Sequence, residues 1–283
     1  MACLTCRFLG EPMMKNSTCI VLLCLVTACA QSEREASIDS TESYPVIEAM
    51  VEVPAGNFWM GCNLDVDAEC KVEREAPMRE VQLKSFEIDV YEVTAGDYRA
   101  CVVAGACSLG TSEGNSYSNY AMDRNDHPMN FVTWDEASTY CAWRGKRLPT
   151  EAEWEKAARG ADGRKYPWGD AERSCDFAVM NDSGIGCGTG KTWPVGQKPM
   201  GMSIYGVHDL IGNVAEWTSD WFDGEYYRAA PQIDPAGPSQ GNMKVVRGGS
   251  FLNPEEYLRA ANRLEYQPDT RASLFGFRCA RSL

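Results

Sequence analysis

Hydrophobic and polar positions alternate from Met50 to Gly61 (MVEVPAGNFWMG), with Pro54, Ala55 and Gly56 interrupting them midway. The stretch predicts a strand, a turn and a second strand in a hairpin. Val81 to Val90 (VQLKSFEIDV) alternates again and predicts a further strand. The period then changes. Thr94 with Asp97, Thr133 with Glu136 and Thr150 with Glu153 each set a hydroxyl three residues ahead of a carboxylate. At that spacing two side chains satisfy free N–H groups of a helix start. These capping boxes predict helices ending near Gly105, at Gly145 and at Gly160. In the third, Ala152, Trp154, Ala157 and Ala158 make an apolar side, with Glu151, Glu155 and Lys156 outside it.

From Tyr166 to Asn242 the residues are mostly Gly, Pro, Asn, Asp and aromatics, a composition that predicts loops around short strands with polar side chains used internally. Val245 to Phe251 and Gly276 to Ala280 read as strands. With 283 residues and 44% hydrophobic content, the chain can bury a real core. The pattern suits one mixed α+β domain over residues 50–283.

Ahead of that domain, Lys15 precedes a short apolar run, Cys19 to Leu25, and the sequence Leu25-Val26-Thr27-Ala28-Cys29 closes it. A bilayer span needs about 20 apolar residues, so the run reads as a secretory leader over residues 1–29. Its end resembles a bacterial lipobox, which makes Cys29 the candidate lipidated residue and membrane anchor. The alternative is an ordinary signal peptide cut near Ala28 or Ala30, and Met13 or Met14 is an alternative start. Residues 30–49, rich in Ser and Glu, read as a flexible tether. The expectation is export to the cell envelope, as a periplasmic or outer-membrane lipoprotein.

A formal net charge of -13 argues against a nucleic-acid partner, because no segment supplies clustered Lys and Arg. Eight cysteines follow the tether, an even set in an exported chain, and such a set favours disulfides over metal sites. Three pairs are local: Cys62 with Cys70, Cys101 with Cys107, and Cys175 with Cys187. Cys141 and Cys279 remain, and a bridge between them contributes roughly 4 to 5 kcal/mol by loop entropy.

In order, the chain holds VPAGNFWMG, FEIDVYEVTAGDY, HPMNFVTWDEASTYCAWRGKRLPTEAEWEKAARG, YPWGD, WPVG, GVHDLIGNVAEWTSDW, VVRGGSF and GFRCA. This series resembles the formylglycine-generating enzyme family, the sulfatase-modifying-factor domain, from about Val51 to Leu283. The resemblance implies an α+β fold related to C-type lectin-like domains, with little regular structure. It also implies an oxygen-dependent oxidation of a sulfatase cysteine at a copper(I) ion held by two thiolates, donors that suit a soft monovalent ion. In the family those cysteines lie three residues after the Ser of the GGS turn and five residues further. Here Ser250 is present, but the two positions are Asn253 and Leu258. Ala215 also stands where the family commonly has Trp, and Leu274 where it has Asn.

The resemblance further implies a calcium site built from the Asp209 side chain, the Gly212 and Val214 carbonyls and Glu216, hard oxygen donors of the kind calcium takes. A second family calcium site would start at Asp176 and Phe177, but no carboxylate stands in its other half, Cys187 to Thr189. The family's peptide groove would be lined by Ser250, Asn253, Glu255, Tyr257 and Arg263. Gly188 to Thr192 lacks the earlier glycine of a phosphate-binding loop, since Ile185 occupies that place. Two histidines, His127 and His208, are too few for a three-histidine iron site. The expectation is a calcium- and disulfide-stabilised binding or accessory module without copper, whose ligand is a peptide, a protein or a small molecule. The alternative is an oxidase, either the formylglycine-generating type or one using another metal.

Overall fold

The computed structural model describes residues 49–283 except 66, 111–114 and 183. The leader, Cys29 and the tether up to residue 48 lie outside the described residues. In chain order the elements are β1 Met50–Val53, β2 Gly56–Met60, α1 Val72–Glu75, β3 Arg79–Leu83, β4 Phe86–Asp89, α2 Ala95–Val103, α3 Trp134–Trp143 and α4 Glu151–Arg159. They continue with β5 Ala215–Trp221, α5 Tyr226–Ala229, β6 Lys244–Arg247, β7 Arg263–Tyr266, β8 Phe275–Gly276 and β9 Ala280–Ser282. Strands, short helices and long irregular stretches mix in this α+β structure. Among the described residues no helix is long and apolar enough to cross a membrane.

The first hairpin differs from the expected one. β1 pairs with β4 and β2 with β3, both antiparallel and in one continuous register, Val53 opposite Phe86 and Gly56 opposite Leu83. Residues 50–60 thus form one kinked strand against residues 79–89, and residues 61–78 make the connection. Pro54 cannot donate to a ladder, and at the kink Lys156 Nζ donates to the Pro54 (2.7 Å) and Gly56 (3.0 Å) carbonyls. β9 extends β4 to complete a three-stranded sheet, and a four-stranded sheet has the order β7-β6-β5-β8. The run from Gly276 to Ala280 is therefore two short strands in different sheets. Val245 to Phe251 leaves β6 at Gly248 and Gly249, both at positive φ.

All three capping boxes form, with Thr94, Thr133 and Thr150 accepting from the N–H of residues 97, 136 and 153 and the carboxylates bonding back. Gly105, Gly145 and Gly160 follow the helix ends at positive φ, which glycine adopts without a Cβ clash. α4 departs from its expected outward charged face, because every one of its residues is buried. Glu155 pairs with Arg247 (2.6 Å) and Arg159 (2.9 Å), and Glu151 pairs with Arg247 (3.0 Å) and Arg263 (2.7 Å). Burial pushes the Glu155 carboxyl up, but the two guanidiniums hold it below its ordinary range. Around this ionic centre one apolar cluster gathers Phe58, Phe86, Trp154, Leu210 and Leu258, and a second gathers Tyr98, Tyr140, Trp217, Phe275 and Phe277. Disulfides join Cys62–Cys70, Cys101–Cys107, Cys141–Cys279 and Cys175–Cys187.

Candidate functional site

The loop after β6 carries the positions where the resemblance puts the copper thiolates. Two glycines start it because nothing else fits. A Cβ on Gly248 would come 2.6 Å from the Leu210 carbonyl oxygen, and one on Gly249 would come 2.8 Å from Leu258 Cδ2. Ser250 is buried, its hydroxyl donating to Asn253 Oδ1 (2.8 Å) and accepting from Leu252 N–H (3.3 Å). Asn253 N–H donates to the Ser250 carbonyl (3.0 Å), and the Asn253 carbonyl accepts from Asn181 N–H (3.4 Å). Ser250 and Asn253 therefore stabilise a turn. Leu258 has no exposed surface and packs in the first apolar cluster, against Gly249.

Arg263 does not line a groove. It is wholly buried, with Nε and Nη2 on the Glu151 carboxylate (2.7 and 2.9 Å) and its guanidinium over the Tyr227 ring. The buried negative charge of α4 draws it inward, and the polar residues of a strand carry no mark of such a partner. Ser250 is likewise withdrawn. Tyr257 is half-buried, and Glu255 is exposed and pairs with Arg173 (3.1 Å).

Among the described residues, one group of Cys, His, Asp or Glu ligand atoms converges, Cys62, Asp67 and Cys70. Its two sulfurs are bonded to each other, so it offers no thiolate pair. Arg259, next to Leu258, closes this corner with bonds to Glu75 (2.9 Å on each of two nitrogens) and Asp67 (3.0 Å).

The turn entering β5 is tight, with Asp209, Gly212 and Asn213 at positive φ. Asp209 Oδ2 accepts from Gly196 N–H (2.6 Å), and burial pushes its carboxyl up to about 6. Glu216 accepts from Arg278 Nε and Nη2 (2.8 and 2.7 Å) and from Trp154 Nε1 (2.8 Å). Sequence reasoning missed a third carboxylate, Glu92, which accepts from Asn213 Nδ2 (2.7 Å) and Val214 N–H (3.1 Å). Burial, Asp209 and Glu216 push Glu92 well above the ordinary range. Of these three buried carboxylates Arg278 bonds Glu216 alone, and its charge acts on Glu92 and Asp209 only through space. Hard oxygens are what a divalent cation takes, but the three carboxylates do not form a convergent group and both Glu216 oxygens already accept from Arg278. Near Asp176, Lys198 Nζ donates to the Cys175 carbonyl and lies 3.9 Å from the centre of the Trp193 ring, a built-in cation beside the second family site.

His127 Nδ1 lies 2.8 Å from Thr192 Oγ1, and burial holds its ring down to about 4. The His208 ring packs on Tyr91, and its backbone carbonyl accepts from Arg278. Both are built into the framework rather than into a nucleophile–base pair.

Residues 36–283 match the family described as Sulfatase-modifying factor enzyme 1-like domain. The chain is 35% identical to a formylglycine-generating enzyme of Thermomonospora curvata, over 83% of this chain and 94% of that one. It is 32% identical to the inactive C-alpha-formylglycine-generating enzyme 2 of Bos taurus, over 82% and 87%. PvdO from Pseudomonas aeruginosa superposes with a TM-score of 0.72 at 29% identity, covering 86% of this chain and 99% of that one. Its motif series, its fold and these likenesses make the chain a member of the formylglycine-generating enzyme family.

Proposed function

We propose that this chain is a non-catalytic binding or accessory module of the cell envelope, exported by its leader and anchored through a lipid on Cys29. One observation carries the reading. Where the family's copper thiolates are expected stand a turn-forming Asn253 and a core-packed Leu258, while all eight cysteines of the described residues are in disulfides. An amide is a poor ligand for copper(I) and an isobutyl group is none. The family includes a relative named as inactive, in agreement with such a loss.

In this reading Asp209, the Gly212 and Val214 carbonyls and Glu216 hold calcium, which offsets the charge of Glu92 and Asp209. The ion is structural, since its ligands support the turn that fixes β5. Anaerobic titration of the purified protein with copper(I), beside an aldehyde assay on a CxPxR-type sulfatase peptide, tests the proposal. The expected result is no stoichiometric copper and no turnover above heat-killed protein. Tight binding of one copper ion, or aldehyde formation, overturns it.

A further inference from the structure

Beside the GGS loop, just outside Leu258, an open cavity of about 420 Å³ lies against α1 and β7. That volume is in the range of small-molecule sites. Leu264, a largely buried side chain, supplies apolar lining, with Tyr257 and Tyr266 as aromatic lining. Tyr266 is braced from behind by Phe275, the ring centres 4.4 Å apart.

The charges around the cavity are unequal in their commitments. Arg74 is spent on Glu265, with its two nitrogens 2.7 and 3.0 Å from the carboxylate oxygens. Glu75 is likewise spent on Arg259. Lys71 differs: among the described residues its ammonium has no ion-pair partner, and it sits 4.1 Å from the centre of the Tyr257 ring. It is half-buried, and burial, followed by Arg259 and Arg74, outweighs the pull of Glu75 and Glu256 to hold its pKa below the ordinary lysine range. An arriving anion would reverse that penalty and form a charge-assisted hydrogen bond in a partly desolvated place. Glu73 at the rim and Glu256 nearby are the other uncommitted charges, and both are exposed, where solvent screens them.

We propose that this cavity binds a small organic carboxylate, its anion on the Lys71 ammonium and its ring or alkyl body on Leu264 beside Tyr257 and Tyr266. The proposal deepens the reading of the domain as a binding module by naming a ligand class.

Titration calorimetry of the full chain with 3-phenylpropionate tests it, beside the neutral 3-phenylpropionamide, the bodiless acetate and the cationic phenethylamine. A ligand of about eleven non-hydrogen atoms in an open site is expected to bind with a dissociation constant on the order of 1 mM. The amide and acetate are expected to bind about tenfold or more weakly, because each lacks one half of the recognition. Lys71→Met keeps the stem over Tyr257 and is expected to lose phenylpropionate binding by about tenfold. Its thermal midpoint and the aromatic circular dichroism of the domain should stay unchanged. No phenylpropionate binding, equal binding of the amide, tighter binding of phenethylamine, or an unaffected, folded Lys71→Met overturns the proposal. The copper titration is independent: a carboxylate-binding failure without copper uptake removes only the ligand class, whereas copper uptake removes the non-catalytic reading itself.

Discussion

Replacing Arg247 by Met tests whether the ionic centre under α4 holds the domain together. Arg247 is completely buried, and besides Glu151 and Glu155 it donates to the Ala260 (2.6 Å) and Ala261 (3.4 Å) carbonyls. Its loss leaves Glu155 with Arg159, the Tyr227 hydroxyl (3.3 Å) and the Gly61 N–H (2.6 Å), and Glu151 with Arg263, so the formal charges still balance, but each carboxylate loses a buried partner and the Ala260 and Ala261 carbonyls lose their donor. Methionine fills the stem but not the charge. Breaking a buried pair by removing one partner typically costs about 3 to 5 kcal/mol, here through the lost pairings and the two carbonyls left without a donor. Arg247→Met should therefore lower the unfolding free energy by about that amount, read from urea transitions with disulfides intact. The Arg247–Glu155 pair itself is tested by a cycle with Glu155→Gln, whose cost in the Arg247→Met background should be at least about 1 kcal/mol smaller than in the wild type. A single-variant cost under about 1 kcal/mol, or strict additivity in the double, would refute the reasoning.

Leu258→Ala should cost about 2 to 5 kcal/mol in the same assay, as for a core leucine, whereas a groove residue would cost almost nothing. Asp220, buried and pushed up to about 7 by burial and then by Glu151, holds its proton longer in the folded chain. Its stabilising contribution is complete below about pH 4 and is lost as pH rises through about 7, at most about 4 kcal/mol, so Asp220→Asn should gain on the wild type near pH 8 in pH-dependent unfolding. Removing calcium with a chelator should lower the thermal midpoint, by about 2.7 kcal/mol of stability if the ion stood at a hundred times its dissociation constant. Asp209→Asn should erase most of that difference, and an unchanged chelator response in the variant would count against the calcium assignment.

Features written in local chemistry were legible. A threonine three residues before an acid needs no distant partner to cap a helix, so α2, α3 and α4 could be placed at once. The family was legible from motif order, which survives the replacement of single residues. Pairing over distance was not. Pro54 and Gly56 look like a hairpin turn, yet the kink is pinned by Lys156, a hundred residues away. The carboxylates Glu151 and Glu155 of α4 look like a solvated face because Arg247 and Arg263, which neutralise them beside the helix's own Arg159, come from β6 and β7. Glu92 was missed for the same reason, since only the fold brings it beside Asp209 and Glu216. Leu258 falls at a site position by spacing from Ser250, and its packing against Gly249 is visible only in three dimensions.

The bridge between Cys141 and Cys279 spans 138 residues. Cys279 lies between β8 and β9, and β9 is the edge that completes the sheet begun by β1. If the chain is exported as proposed, it therefore cannot lock this domain while still threading outward. Residues 50–141 must wait, partly paired, until residue 279 has also emerged and met an oxidant. During that interval β4 lacks β9 along one side and offers free backbone groups to any neighbour. Maturation would then depend on thiol-oxidising and holding factors outside the membrane, and a strain short of them should accumulate a reduced, protease-sensitive form even with synthesis unimpaired.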